Sequence, residues 1–329
     1  MSQVELRTVR IDEDGLRLDR WFRRHFPALP HGMLEKLVRK GQVRVDGGRI
    51  RTNHRLAAGA EIRVPPLPAT GSAAPVVETR MPDARTRAML EGSILHRDES
   101  ILVLDKPSGL AVQGGSGLTR HLDGWLDALK FDAPERPRLV HRLDRDTSGL
   151  LVLGRTASAA AALAAAFRTR RTAKLYWALV VGVPRPAEGV IDAPLVKRDG
   201  PGGERVRVMD EGDDAGRGAI TVFETIDRAP PRVAWMALQP RTGRTHQLRV
   251  HCATMGHPIV GDHKYGGAAA RVPGLPDVLH LHARGLLLPH PDGGVLRLTA
   301  PLPGHMRTSW KLFEFDVDAP WAPLEEDRA

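Results

Sequence analysis

One stretch of this chain concentrates more polar chemistry than a turn requires: His141-Arg142-Leu143-Asp144-Arg145-Asp146-Thr147-Ser148-Gly149-Leu150. The apolar runs Leu139-Val140 and Leu150-Leu151-Val152-Leu153 lead into and out of it, and both read as buried strands. Polar groups at a junction of core strands must face a cleft or pair with one another. A carboxylate held there can serve as a nucleophile. Asp144 and Asp146, if extended, would lie about 7 Å apart on one face, which does not exclude paired-acid hydrolysis of a glycosidic bond. A solvated, salt-bridged turn is the plain alternative.

Other groups that could do chemistry argue mostly by what they lack. His246, His251, His257 and His263 with Cys252 fit neither an HExxH nor a CxxC spacing, so no metal site is expected. Gly114-Gly115-Ser116-Gly117 lacks the Gly-Lys-Ser/Thr of a phosphate loop and a strand–loop–helix dinucleotide pattern. It reads as a loop at the rim of a cleft, and no cofactor is expected.

The elements that must position these residues follow in chain order. Leu16, Leu18, Trp21 and Phe22 suggest a short helix, and Met33, Leu34, Leu37 and Val38 a second over His31–Lys40, ended by Gly41. Strands are expected at 42–47 and 62–64. The Pro-rich and then small-residue stretch 66–80 reads as a linker. This gives a unit 1–65, a linker 66–80 and a larger domain 81–329. Residues 94–109 read as strand, turn, strand, turn, with Lys106-Pro107 structural. Thr156 is placed to cap an Ala-rich helix through Phe167. In Lys174–Val181, period two puts Lys174, Tyr176 and Ala178 on one face and Leu175, Trp177 and Leu179 on the other. Residues 198–218 read as a surface excursion, 219–226 and 233–238 as paired strands. Thr245 is expected to cap a helix to Met255. A late strand over 279–288 and a helix over 305–313 complete the chain.

The central stretch closely resembles the active-site motif of the RluA-type RNA pseudouridine synthases. Lys106-Pro107-Ser108-Gly109, Lys174-Leu175-Tyr176 and Arg241-Thr242-Gly243-Arg244-Thr245-His246-Gln247-Leu248-Arg249 resemble further motifs of that family, and Gly256-His257-Pro258-Ile259-Val260-Gly261-Asp262 extends the match. The resemblance implies that Asp144 is the catalytic aspartate, that Tyr176 stacks on the target base, that Arg249 pairs with Asp144, and that Arg142 fills the gap left by a flipped base. A nearby cation would favour the ionised carboxylate. Arg17-Leu18-Asp19-Arg20-Trp21 and Gly41-Gln42-Val43-Arg44-Val45-Asp46-Gly47 resemble the S4 RNA-binding domain, which makes Arg20, Arg23, Arg24, Lys36, Arg39, Lys40 and Arg44 candidate RNA contacts. The implied fold is α+β: a mixed, largely antiparallel central sheet with flanking helices, the pseudouridine synthase fold, behind a small N-terminal α/β S4-like domain. The motif context is most like the large-subunit rRNA synthase C type. That points to 23S rRNA or a large-subunit precursor as partner.

Composition agrees with a polyanionic partner. The 329-residue chain has a net charge of +9, and residues 1–65 carry 14 Lys/Arg against 8 Asp/Glu. No apolar run approaches a membrane span, the first residues lack a signal-peptide pattern, and a lone cysteine excludes an internal disulfide. A cytoplasmic monomer is expected. Three rivals stay open. A glycoside hydrolase would release free uracil, and its sugar-binding aromatics fit poorly with an aromatic content of 5%. A synthase acting on tRNA would share every motif. A non-catalytic RNA-binding assembly factor on the same fold would have lost Asp144, Tyr176 or Arg249.

Overall fold

The computed structural model describes residues 4–27, 29–67, 81–114, 120–169, 171–200, 203–210 and 216–324. The chain divides into two compact units, Met1–Thr79 and Arg80–Ala329. Most of the expected linker, the loop 115–119 and Arg170 lie outside the described residues.

In the first unit, helices Leu18–His25 and His31–Arg39 pack on a sheet ordered Glu5–Thr8, Glu61–Val64, Arg44–Val45. Leu18, Trp21, Phe22, Leu34, Val43 and Ile62 form its core. The strand expected over 42–47 shrinks to Arg44–Val45, because Asp46 turns into left-handed backbone at φ 48°. Buried Glu13 accepts from the Trp21 indole, the His25 ring and the Arg10 N–H. Burial works to raise its carboxyl, but these donors prevail and hold it at about 2. Arg20, Arg23, Arg24, Lys36, Arg39 and Lys40 are exposed. Arg24 pairs with Asp12, and Arg44 donates to the carbonyls of Gly41 and Gly47, so Arg44 also holds its own turn.

The second unit is built on a ten-stranded sheet. Its main path runs Ile94–Arg97, Ile101–Lys106, Ser148–Gly154, Leu281–Pro289, Ala173–Val181, Val233–Pro240, Ile220–Ala229, Glu188–Asp192. Val295–Thr299 adds beside Leu281–Pro289, and Arg138–Leu139 beside Ser148–Gly154. The sheet is mixed but largely antiparallel, as expected; its parallel seam joins Ser148–Gly154 to Leu281–Pro289. All seven residues of Ser148–Gly154 are buried, which is why the sequence there is a continuous apolar run. Gly149 lies on the seam at φ +105°, and a Cβ there would meet the Ala283 carbonyl oxygen at 2.4 Å. No other residue fits that approach.

Thr156 caps the helix Ala157–Arg168, its hydroxyl accepting from the Ala159 N–H at 3.1 Å. The two faces of Ala173–Val181 separate as period two requires: Leu175, Trp177 and Leu179 join one core cluster, while Ala178 and part of Tyr176 join another. Two expectations change. The excursion over 198–218 is in part a hairpin, Leu195–Gly200 with Gly203–Val208, because Leu195 and Val206 bury against Ala219 and Val250. The helix Gln247–Thr254 is capped by His246 in left-handed backbone, not by Thr245. Among the described residues, no helix is long and apolar enough to cross a membrane.

Candidate active site

The loop between Leu139 and Ser148 exposes alternate residues: Leu143 is buried, Arg142 exposed and Asp144 half-buried. Its back is clamped. The His141 ring stacks on Phe167 with centroids 4.4 Å apart, and its Nε2 accepts the Val152 N–H at 2.9 Å. Burial, helped by the Lys174 charge, pushes this histidine down to about 3, so it is neutral and structural. Lys106 Nζ donates to the carbonyls of Pro107, Leu110 and Arg145 at 2.8, 2.9 and 3.0 Å. Burial pushes this lysine down to about 7, but three carbonyl acceptors match the three hydrogens of an ammonium. Gly109 N–H also donates to Arg145 O, and Ser108 Oγ to Asp146 O. The Lys106–Leu110 segment therefore fixes the backbone just past Asp144.

Asp144 faces a cleft of about 670 Å³. Arg142, Lys174, Tyr176, Arg244, His246 and Arg249 are among the residues that line it, as are Arg168 and Arg241. Among the described residues, Asp144 is the one carboxylate in that lining. Asp146 is paired with Arg145 at 2.9 Å instead, which removes the second acid that hydrolysis by a carboxylate pair would use. Burial and the Asp144 charge both push the Tyr176 hydroxyl above its ordinary range, so it keeps its proton.

The far wall is the helix Gln247–Thr254 and the loop before it. Buried Gln247 uses its whole amide: Oε1 accepts from Thr242 Oγ1 and Arg244 N–H, and Nε2 donates to Ile220 O and Thr221 Oγ1. Arg249 reaches the cleft, but its ion pair is not with Asp144. Its Nε and Nη2 donate to the two oxygens of Asp262 at 2.8 and 2.6 Å. Asp262 is fully buried, and a buried charge without a partner is costly, so it takes the guanidinium fork. Asp144 acts on Arg249 from farther away.

His246 and Tyr265 were not among the residues singled out for catalysis. His246 Nδ1 lies 2.6 Å from the Tyr265 hydroxyl, and its Nε2 lies 3.9 Å from Asp144 Oδ2. Only the place of His246 inside the Arg249 motif could have signalled this; Tyr265 is nineteen positions away. Among the described residues no group of three His, Cys, Asp or Glu is placed to hold a metal. His251 bonds Thr221 and Ala193, His257 bonds Val181 O, and His263 pairs with Asp277.

The chain is similar to several known proteins. A family model described as RNA pseudouridylate synthase matches residues 100–254. The ribosomal large subunit pseudouridine synthase C of Escherichia coli K12 is 38% identical over 312 residues, covering 91% of this chain and 93% of that protein. The mitochondrial RNA pseudouridine synthase 4 of Arabidopsis thaliana is 37% identical over 381 residues, covering 91% of this chain and 80% of that one. The solved structure of human RNA pseudouridylate synthase domain containing 4 superposes with a TM-score of 0.59 at 32% identity, over 70% of this chain and 96% of that one.

Proposed function

This chain belongs to the RluA-type family of RNA pseudouridine synthases, isomerases that act on RNA, and we propose that it modifies large-subunit ribosomal RNA with Asp144 as its catalytic carboxylate. One observation carries the reading: among the described residues a single carboxylate, Asp144, lines a cleft whose lining also holds Arg142, Lys174, Arg244, Arg249 and the protonated Tyr176.

The reaction breaks the N1–C1′ bond of a uridine, turns the base and joins C5 to C1′. A carboxylate nucleophile divides that change into two easier steps. The base must first leave its stack, at a cost of a few kcal/mol. Tyr176 offers an aromatic face, and stacking returns about 1–3 kcal/mol per base. Exposed Arg142, two residues before Asp144, is placed to occupy the space that the base vacates. Arg249, held by Asp262, adds positive charge behind the carboxylate. The basic first unit acts as an S4-like grip on the RNA, tethered to the catalytic unit through the linker.

The ribosomal assignment leans on relatives whose names specify the large subunit. Mapping pseudouridines in the rRNA and tRNA of a deletion strain tests it. Loss of one or a few large-subunit sites, restored by the wild-type gene and not by Asp144→Asn, is expected. Loss confined to tRNA would move the substrate. Retention of every site would overturn the reading.

A further inference from the structure

His246 stands at the N-terminal end of its helix at φ 54° and ψ 18°, a left-handed backbone that a side-chain-bearing residue keeps only where its surroundings hold it. Its ring lies between two groups, within hydrogen-bond distance of Tyr265 and 3.9 Å from Asp144. Following the protons fixes how. The Val206 N–H donates to the Tyr265 oxygen at 3.4 Å. Burial raises the Tyr265 hydroxyl, which therefore keeps its own hydrogen. That hydrogen is left for His246 Nδ1, 2.6 Å away. Burial lowers His246 as well, so the ring is neutral at neutral pH. A neutral imidazole that accepts at Nδ1 carries its hydrogen on Nε2, the nitrogen facing Asp144.

Building on Asp144 as the catalytic carboxylate, we propose that His246 is a positioning residue: its Nε2–H takes hold of one oxygen of Asp144 and leaves the other aimed at the target nucleotide, while Tyr265 sets the tautomer. The 3.9 Å separation is too long for a hydrogen bond. Such contacts in a substrate-free site tighten when substrate closes on them. The charged and titratable groups around the ring are Asp144 on the motif loop, Arg249 on its own helix, and Asp262, Lys264 and Tyr265 on the following turn. From the hairpin, Arg205 covers the Tyr265 ring at 5.6 Å.

Three variants test this on a uridine-containing rRNA stem-loop, each checked for folding by thermal melting. His246→Asn suits left-handed backbone best and carries its amide nitrogen at the depth of Nδ1. His246→Gln suits that backbone less well but carries its amide nitrogen at the depth of Nε2. Tyr265→Phe keeps the ring and removes the hydroxyl. For His246→Asn, kcat should fall by about ten- to a hundredfold, the range of one hydrogen bond to a charged group, with KM little changed. His246→Gln should retain more activity than Asn despite its poorer backbone fit. Tyr265→Phe should lower kcat by about two- to tenfold. It also lets Nδ1 carry a hydrogen, which favours the imidazolium, whose full charge makes the neighbouring Asp144 carboxylate a poorer nucleophile. The acid limb of kcat should therefore move up by about half to one pH unit.

A folded His246→Asn protein with wild-type kcat, or with at least the activity of Gln, would overturn the proposal, as would an unmoved pH profile in Tyr265→Phe. If His246→Asn does not fold, Tyr265→Phe decides, because it leaves the backbone at 246 intact. Wild-type protein that isomerises no uridine would instead overturn the functional reading itself.

Discussion

On the cleft face of the loop 141–147, Arg142 is exposed and Asp144 half-buried. Among the described residues, the nearest basic side chain recorded against Asp144 is the neutral His246 ring, at 3.9 Å. On the back face of the same loop, His141, Lys106 and Ser148 are each hydrogen-bonded to a specific partner. A few ångströms of backbone thus separate groups kept available for chemistry from groups satisfied for stability. The same division holds across the cleft, where the Arg249–Asp262 pair is saturated and His246 Nε2 faces Asp144 at 3.9 Å. Variants on the two faces should therefore fail in different ways.

The largest effect is expected at Asp144. Asp144→Asn keeps the shape and removes the ionisable group, so turnover should fall by about 10⁴-fold or more, as for other loss of a nucleophile. Melting should stay within about 2 °C of wild type, since few contacts change. Pseudouridine formation by the purified variant, free of other synthases, would break the comparison. Arg249→Met belongs to the satisfied side. It strands the Asp262 carboxylate and should cost about 3–5 kcal/mol in urea unfolding. A variant that loses turnover while keeping its unfolding midpoint would mean that Arg249 serves Asp144 directly.

Tyr176 sits between the two regimes. Tyr176→Leu removes a stacking face worth about 1–3 kcal/mol and should weaken RNA turnover accordingly, while Tyr176→Phe should remain near wild type. If Phe is as poor as Leu, the hydroxyl takes part in the chemistry. The smallest effect per residue concerns pH. Burial holds His141 and His282 at about 3 and His280 at about 4. Above pH 6.5 these rings are neutral whether folded or not. As pH falls below that, the unfolded chain takes up protons that the folded one refuses. Stability should then drop by about 1.4 kcal/mol per pH unit for each fully titrating histidine. Asp105 works the other way, because burial raises it to about 6 and the folded state takes its proton first. Melting from pH 7 to pH 5 should show a net decline; a flat profile would place these rings closer to solvent than their packing indicates.

Much of this was legible in the residues, and the exceptions share a cause. The strands around the motif could be read because their patterns are local: Ile101–Leu104 and Leu150–Leu153 are apolar runs, and Ala173–Val181 separates its faces by period two. The Thr156 cap is local too. The hairpin 195–208 was missed because its strands are short and polar outside, and only Val250, far along the chain, reveals which side is buried. The partner of Arg249 was misassigned for the same reason. Family likeness pointed to Asp144, whereas burial of Asp262 thirteen positions later decides which carboxylate needs the guanidinium more. The His246–Tyr265 contact likewise depends on how two loops meet, which no spacing encodes.

The place of the strand Leu281–Pro289 has a consequence for the order of events in making this protein. It lies between Ser148–Gly154 and Ala173–Val181, although it begins 100 positions after the end of the later of the two. In the sheet, the strand that follows Asp144 and the strand that carries Tyr176 each pair with it rather than with each other. A nascent chain that already holds every candidate catalytic residue up to Arg249 still lacks the strand that links those two in the sheet. Activity is therefore expected only once residues 281–289 have been made.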